Sequence, residues 1–325
     1  MIITVTLNTA IDKTLSVPNF RLGRRHRTVE QTTMPGGKGV NVARVLKALG
    51  QPVIATGLTG GATGTRIVDQ LTQLSVLSDF VRIREESRTN TAVIDPTTGE
   101  QTEINERGPK VSEQEVELFV DKLLYLAKGA SVCVFAGSLP RDVDTDIYAK
   151  LIRELRRLGV QTIVDTDGDP LRRAVRAEPD VITPNVLEAE ELVGHEFNDG
   201  IDDWGIAARE MCELGAREAI MTMPDGCFAR MLGEEHGSDR RVYRVRLASP
   251  ALEPRATVGS GDAFLAGFVA ARYTGRPTAE CLAYGVACGA ESTQHLGAGL
   301  IDPDRVERLL AETVVEQPEM PAEVS

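Results

Sequence analysis

The sequence predicts an α/β fold: a mostly parallel sheet covered by helices on both faces, with a small β appendage. Two observations carry this. Short β-branched, apolar runs alternate with spacers of helix length, the rhythm of strands joined by helical crossovers. Two early regions break that rhythm with paired, alternating segments that suit a separate, more exposed sheet. The 325 residues are enough for one large α/β domain with an appendage and a full hydrophobic core.

Residues 2–7 are β-branched and apolar and read as a buried strand. Segments 13–20 and 26–34 alternate around a polar connection and read as two strands of the appendage. Residues 40–49 have helical spacing: Val42, Val45, Leu46 and Leu49 share a face, and Gly50 stands where a C′ glycine ends a helix. Residues 52–57 read as a strand and 64–74 as a helix. Segments 89–95 and 101–106 flank Pro96-Thr97-Thr98-Gly99, a hairpin signal. Ser112 and Glu115 form a capping-box pattern before a helix ending near Lys128. A buried strand at 131–136, a helix at 144–158, strands at 160–164 and 181–183, and a helix from Val186 follow. Segments 218–223 and 227–232 read as a hairpin across Pro224-Asp225-Gly226. The last third is helical at 262–273, 278–295 and 303–312, the final helix with Asp302 as N-cap and Pro303 in its first turn. This divides the chain into a core (1–11, 35–87 and 109–312), an appendage (12–34 and 88–108) and a flexible tail (313–325).

Composition excludes several classes. Hydrophobic residues at 42% and charged residues at 26% are ordinary globular usage, not that of a disordered chain. No apolar run reaches the roughly 18 residues of a membrane span, and the N-terminus lacks the pattern of a signal peptide. The five cysteines form no CxxC pair, which argues against structural zinc or a disulfide framework and for a reducing cytoplasm. With 36 Lys and Arg against 48 Asp and Glu, the net charge of −12 repels nucleic acid and anionic membrane, so neither is expected as a partner.

In such folds ligands bind beyond the carboxyl ends of strands and against helix N-termini. The clearest candidate is Thr257-Val258-Gly259-Ser260-Gly261-Asp262, opening a helix. Its glycines permit close backbone approach, and amides plus helix dipole cradle negative charge such as a phosphoryl group. Asp262 suits a proton acceptor for an alcohol, though taken alone an Asp at this position more often caps the helix. A second loop, Pro35-Gly36-Gly37-Lys38-Gly39-Val40-Asn41, opens another helix: Asn41 offers donor and acceptor to vicinal hydroxyls and Lys38 a mobile charge for phosphate, or the loop is a glycine turn with a solvated lysine. Asp12 follows the first strand and suits two sugar hydroxyls, or a turn. Asn185 and Glu188 are three apart at a helix start; they suit water-mediated contact with magnesium, or a capping box. Arg88 precedes an appendage strand and supplies positive charge, as do Arg24, Arg25 and Arg27, a cluster that also suits a solvated face. The four histidines show no ligand or triad spacing; His295 could at most line a nucleotide site.

Competing motifs fail. No GxxxxGK[ST] occurs, the two glycine loops each lack the third glycine of GxGxxG, and Ser138 is not in a GxSxG elbow. That disfavours a nicotinamide-dependent oxidoreductase.

Gly36-Gly37-Lys38-Gly39-Val40-Asn41-Val42-Ala43 and Thr257-Val258-Gly259-Ser260-Gly261-Asp262, with the intermediate landmarks Asn8-Thr9-Ala10-Ile11-Asp12, Gly60-Gly61-Ala62-Thr63-Gly64, Gly137-Ser138-Leu139-Pro140 and Asn185-Val186-Leu187-Glu188, resemble the ribokinase-like (PfkB) carbohydrate kinases over nearly the whole chain. Val258, Lys38, Ser87-Arg88-Thr89-Asn90 and the stretch from Thr102 to Pro109 are most similar to the 1-phosphofructokinase and tagatose-6-phosphate kinase branch. The resemblance implies a three-layer α/β/α ribokinase-like fold with a β lid over the sugar, a cytoplasmic setting, and a lid that also serves as a homodimer contact. It implies Asp262 as catalytic base and Gly259, Ser260 and Gly261 as anion hole. It places Asp12, Gly36, Gly37, Asn41 and Ser138 at the sugar, with Lys38 and Arg88 gripping its phosphate. It places Asn185, Glu188, Thr222, Asp225, Gly226 and His295 at ATP, with Mg²⁺ held through water by Asn185 and Glu188. The acceptor is then a ketohexose phosphate; kinases of plain sugars or nucleosides, and a silent sugar-phosphate-binding regulator, share the fold. Thr183 stands where the family usually has Lys, and Thr222-Met223-Pro224 where it has Ser-Leu-Gly.

Overall fold

The computed structural model describes residues 1–198, 200–233, 240–248 and 254–319. Its elements run β1 (Ile2–Thr6), β2 (Ala10–Ser16), β3 (Glu30–Gly36), α1 (Lys38–Ala48), β4 (Val53–Gly60), α2 (Gly61–Gln73), β5 (Leu77–Ile83), β6 (Arg88–Ile94), β7 (Gln101–Asn105), α3 (Glu113–Ala127), β8 (Val132–Ala136), α4 (Ile147–Arg157), β9 (Gln161–Asp165), α5 (Gly168–Val175), β10 (Val181–Ile182), α6 (Val186–Val193), α7 (Ile201–Glu213), β11 (Glu218–Met223), β12 (Gly226–Leu232), β13 (Arg240–Leu247), α8 (Ser260–Tyr273), α9 (Thr278–Ser292), α10 (Pro303–Ala311) and β14 (Thr313–Glu316). Among the described residues no helix is long and apolar enough to cross a membrane.

Ten strands form one sheet in the order β14-β13-β12-β11-β10-β9-β8-β1-β4-β5. The run from β11 to β5 is parallel, and β12 to β14 finish one edge antiparallel. Side chains alternate across the sheet, so the central strands are apolar on both sides. In β8, Val132 and Val134 enter the core beneath α1, α8 and α9, while Cys133 and Phe135 enter the core beneath α3, α4 and α5. The three-layer expectation holds.

Local signals place the helices as read. Ser112 accepts from the Glu115 amide and Glu115 reciprocates, a complete capping box. Asp302 accepts from the amides of Asp304 and Arg305 ahead of α10. Gly50 turns out of α1 with φ +73°. Helix α8 is buried almost all round, and it packs against α9 through small residues. A Cβ on Gly267 would lie 2.7 Å from Cys288 Sγ and 2.8 Å from the Tyr284 carbonyl.

The second sheet, β3-β2-β6-β7, forms the lid. Its β2–β6 pairing is parallel, and the other two pairings are antiparallel. The register puts Asp12, Asn90 and Asn105 in one row. With period two, that row and its neighbours face one way.

Several elements depart from the expectations. The first two lid strands lie nearer the site loops than 13–20 and 26–34, so Asp12 is inside a strand and not in a turn. The tail is not wholly frayed: Thr313–Glu316 pairs with β13 and closes the main sheet's edge. Residues 320–325 lie outside the described residues. Strand β5 and helices α5 and α7 were not legible. Pro170 near the start of α5 imitates a turn, and Gly205 weakens the helical signal of α7 without breaking the helix. The arginines of β13 hide its alternation.

Because Gly267 lets two helices approach, Gly267→Ala overpacks the core. We expect a loss of about 1–3 kcal/mol of stability, read as a lower urea midpoint with an unchanged m-value.

Candidate active site

One cleft of about 1320 Å³ lies between the carboxyl ends of the parallel strands, the N-termini of α1, α6 and α8, and the inner face of the lid. The helix starts turn dipoles and unpaired amides toward a common space.

Asp262 stands in the first turn of α8. It does not cap the helix: the N-cap is Gly259, without a side-chain cap bond, and Asp262 Oδ2 accepts from Asn41 Nδ2 at 2.9 Å. That bond joins the first turn of α8 to the first turn of α1. Gly259 adopts φ +78°, the left-handed conformation that starts the helix at this angle. A Cβ on Gly261 would meet nothing within 4 Å, so no packing inside the protein demands glycine there. The space above it opens to the cleft beside the first-turn amides, which fits a phosphoryl oxygen.

Burial drives the Asp262 pKa up to about 7, with repulsion from Asp165 adding to it; Lys38 and Asn41 oppose the rise. A carboxylate poised there suits a general base near neutral pH. Lys38 Nζ lies 3.0 Å from Asp165 Oδ1 and 3.7 Å from Glu188 Oε1. Burial works against its charge, but Asp165, Glu188 and Asp262 outweigh it and hold its pKa above the ordinary lysine value. Glu188 is raised by burial, against the pull of Lys38.

On the lid side, Asp12 Oδ1 accepts from Asn90 Nδ2 at 2.9 Å, and its Oδ2 from the Gly37 amide at 3.4 Å. Burial raises its pKa, countered by those donors and by Arg88. Gly36 gives it room, since a Cβ there would sit 2.0 Å from Oδ2. Arg88 donates to the Glu106 carbonyl at 2.9 Å and the Asn8 carbonyl at 3.3 Å, which fixes its guanidinium at the cleft wall. Ser138 Oγ accepts from Asn8 Nδ2 at 3.3 Å.

The cleft also concentrates unmet polar atoms. Thr6 Oγ1, Asn8 Oδ1, Asn41 Oδ1, Asn90 Oδ1 and Thr183 Oγ1 are buried without a hydrogen-bond partner, and all five residues line it. Buried polar groups are rarely left so in folded proteins. Their convergence on one space fits a polyhydroxylated ligand.

Comparison with known proteins agrees with this geometry. Residues 4–305 match the model of the pfkB family carbohydrate kinases. This chain belongs to that family. As a pfkB-family kinase it is a phosphotransferase acting on carbohydrate. It is 32% identical over 322 residues to the 1-phosphofructokinase of Borreliella burgdorferi, covering 97% of this chain and 98% of that one. It is 31% identical over 318 residues to the tagatose-6-phosphate kinase of Staphylococcus epidermidis, covering 97% and 99%. The fold of phosphofructokinase-2 from Escherichia coli, crystallised with substrates and products, superposes with a TM-score of 0.86 at 27% identity, over 95% of this chain and 98% of that one.

The pfkB-family kinase brings nearly all the residues anticipated from sequence to one cleft. His295 and Gly36 need correction. His295 is not in the cleft wall: its Nε2 meets the carboxylate of Glu291 at 2.9 Å, inside the α9 end. Gly36 acts by making room for Asp12 and does not itself line the cleft. Lys38 meets Asp165 and Glu188 and not the lid residues around Arg88, within the same cleft. Asp225 is held by Arg244, and Gly226 is glycine because a Cβ would sit 1.9 Å from the Val245 carbonyl. Thr222 donates its amide to the Pro184 carbonyl, which locks the hairpin to the start of α6. The capping box of Asn185 and Glu188 is present, yet Glu188 turns its other oxygen toward Lys38. Arg24, Arg25 and Arg27 do not line the cleft, and His236 lies outside the described residues.

Asp165 was missed. It ends β9 at the carboxyl edge of the sheet, and that position was the available signal. Asn8 and Asn90 appeared only within longer motifs, because nothing local marks an asparagine as a ligand.

The raised pKa of Asp262 has a stability consequence. The folded chain keeps this proton up to about pH 7, whereas the unfolded chain releases it near 3.8. Its contribution to stability is therefore full below pH 4 and lost as the pH rises through 7. Asp262→Asn should melt higher than the wild type at pH 8, with the gap closing toward pH 4; equal melting temperatures at pH 8 would contradict the strained carboxylate.

Proposed function

We propose that this chain is an ATP-dependent sugar-phosphate kinase that moves the γ-phosphoryl group of Mg-ATP to a primary hydroxyl of a ketohexose phosphate. The acceptors are fructose 1-phosphate or tagatose 6-phosphate, with fructose 6-phosphate next, and the product is a ketohexose 1,6-bisphosphate. The observation that carries this reading is Asp262, buried with a pKa pushed up to about 7, directly beside the open amide cradle at Gly261.

In this reading the sugar lies beneath the lid. Asp12, with its partners Asn90 and the Gly37 amide, orients hydroxyls, and Arg88 holds the phosphate the sugar already bears. The acceptor oxygen attacks the γ-phosphorus in line, the bond to the ADP oxygen breaks, and the hydroxyl proton passes to Asp262. In a loose transition state little covalent assistance is needed, so positioning and the preorganised amides supply most of the acceleration. Lys38 stands where negative charge builds on the migrating group. Magnesium bound with the nucleotide would neutralise phosphate charge; Asn185 and Glu188 would hold it through water, with Asp165 alongside, since hydrated magnesium takes oxygen ligands of this kind. The lid keeps water from the phosphoryl group. Contact between two copies through the lid is part of the proposal, tested by the solution mass.

Three results test the reading. Turnover with Mg-ATP across fructose 1-phosphate, fructose 6-phosphate, tagatose 6-phosphate and plain hexoses should favour the phosphorylated ketoses; a preference for plain hexoses would overturn it. Asp262→Asn should lower kcat by on the order of 10²–10⁴ with ATP binding kept, and near-normal turnover would remove Asp262 from the role. Gly261→Ala should fold normally and gain about 0.5–1 kcal/mol from its helix position, yet lose turnover because its methyl fills the cradle.

The same pKa sets the pH profile. Wild-type kcat/KM should fall as the pH drops through about 7, where Asp262 takes up its proton. Lys38→Met removes a charge that lowers that pKa, so the acid limb should move to higher pH. Arg88→Ala should raise KM for the sugar phosphate much more than for ATP.

A further inference from the structure

Arg44 is a charged side chain in the core that the reaction above does not use. It lies on α1 one turn beyond Asn41 and is 6% exposed. Its Nη1 donates to the Ala298 carbonyl at 2.9 Å and to the Pro35 carbonyl at 3.3 Å, and Nη2 reaches Met34 Sδ at 2.9 Å. Its Nε is buried without a partner. Burying a guanidinium with one donor unmet is costly, so a position that needed only volume would be better served by Leu or Met. Burial brings its pKa down to about 10, which leaves it charged at neutral pH.

Nη1 alone bridges two segments that belong to opposite halves of the site, and Nη2 adds a contact on the Met34 side. Met34 and Pro35 end lid strand β3 immediately before the glycines that pack on Asp12. Ala298 lies in a turn flanked by Gly297 at φ +115° and Gly299 at φ +70°. A Cβ on Gly299 would lie 2.9 Å from Arg44 Nη1. On the far side of that turn, a Cβ on Gly259 would lie 2.4 Å from the Ala298 Cβ. Contact therefore runs without a gap from the guanidinium through Ala298 to the first glycine of the amide cradle.

We propose that Arg44 is a positioning residue: its planar fork seats Ala298 beneath Gly259 and ties the anion cradle to the lid-strand end beside Asp12. Lysine does not reproduce it, because its ammonium lacks the rigid plane that holds Nη1 between the two carbonyls while Nη2 rests on Met34 Sδ. The effect on turnover rests on the kinase reading; the effect on the cradle does not.

The test uses the full chain carrying Arg44→Lys and, separately, Ala298→Gly, which removes the intervening methyl and leaves the charge. Hydrogen exchange of the 257–261 amides should quicken about tenfold in both, while β1 keeps its protection. With ATP and the preferred sugar phosphate, kcat should fall on the order of 10- to 100-fold, since small misplacements cost that much, with both KM values within about threefold. The double variant should be no worse than the more damaged single one, as expected for residues acting through one contact. Unchanged exchange at 257–261 in both folded variants would overturn the proposal, as would a rise in the sugar-phosphate KM with kcat intact. If Arg44→Lys does not fold, Ala298→Gly decides alone by the same two readouts. A wild-type protein without turnover on any sugar sinks the kinase reading only, because exchange still decides the role of Arg44.

Discussion

The hydrogen bond from Asn41 to Asp262 is the contact on which the site depends. It spans 221 positions of sequence and joins the first turns of α1 and α8, so two helix N-termini converge on one space. A chain of net charge −12 here gathers Asp12, Asp165, Glu188 and Asp262 around a cleft suited to anions. That is tolerable only because Lys38, Arg88, the Asn41 amide and the helix starts supply compensating positive potential. Burial, with the like-charge repulsion that remains, is what lifts the Asp262 pKa toward neutrality.

Much of this was legible in the primary structure because its signals are local. Glycine-rich loops that open helices announce themselves, as do capping boxes and the βα rhythm. Asp262 could be read as a cap or a base, and only the third dimension separates the two: its oxygen faces Asn41 and not the helix's own amides. What stayed hidden needed long-range packing. Asp165 is an ordinary strand-end aspartate until β9 brings it to Lys38, and His295 has no feature that foretells its turn toward Glu291. Strand β13 is masked by its arginines. One of these, Arg244, is buried and lies 5.2 Å from the ring centre of Trp204, a placement that no alternation rule anticipates.

The unmet polar atoms and the strained carboxylate belong together. Each lowers the stability of the folded chain, and all of them lie at the one cleft. On the kinase reading proposed above, a substrate that satisfied Asn41, Asn90 or Thr183 would contribute energy to alignment in place of mere tight binding. Elsewhere the core is built for close contact, as where Gly267 lets α8 and α9 meet.

The parallel pairing of β2 with β6 gives the lid an unusual dependence. Those neighbours are 78 positions apart, with β3, α1, β4, α2 and β5 in between. A parallel pair cannot close through a tight hairpin, so the lid's central ladder forms only once that intervening quarter of the chain has collapsed. Such long closures come late in folding. The lid is thus no excisable module: a fragment holding only its four strands lacks the connection that brings them side by side.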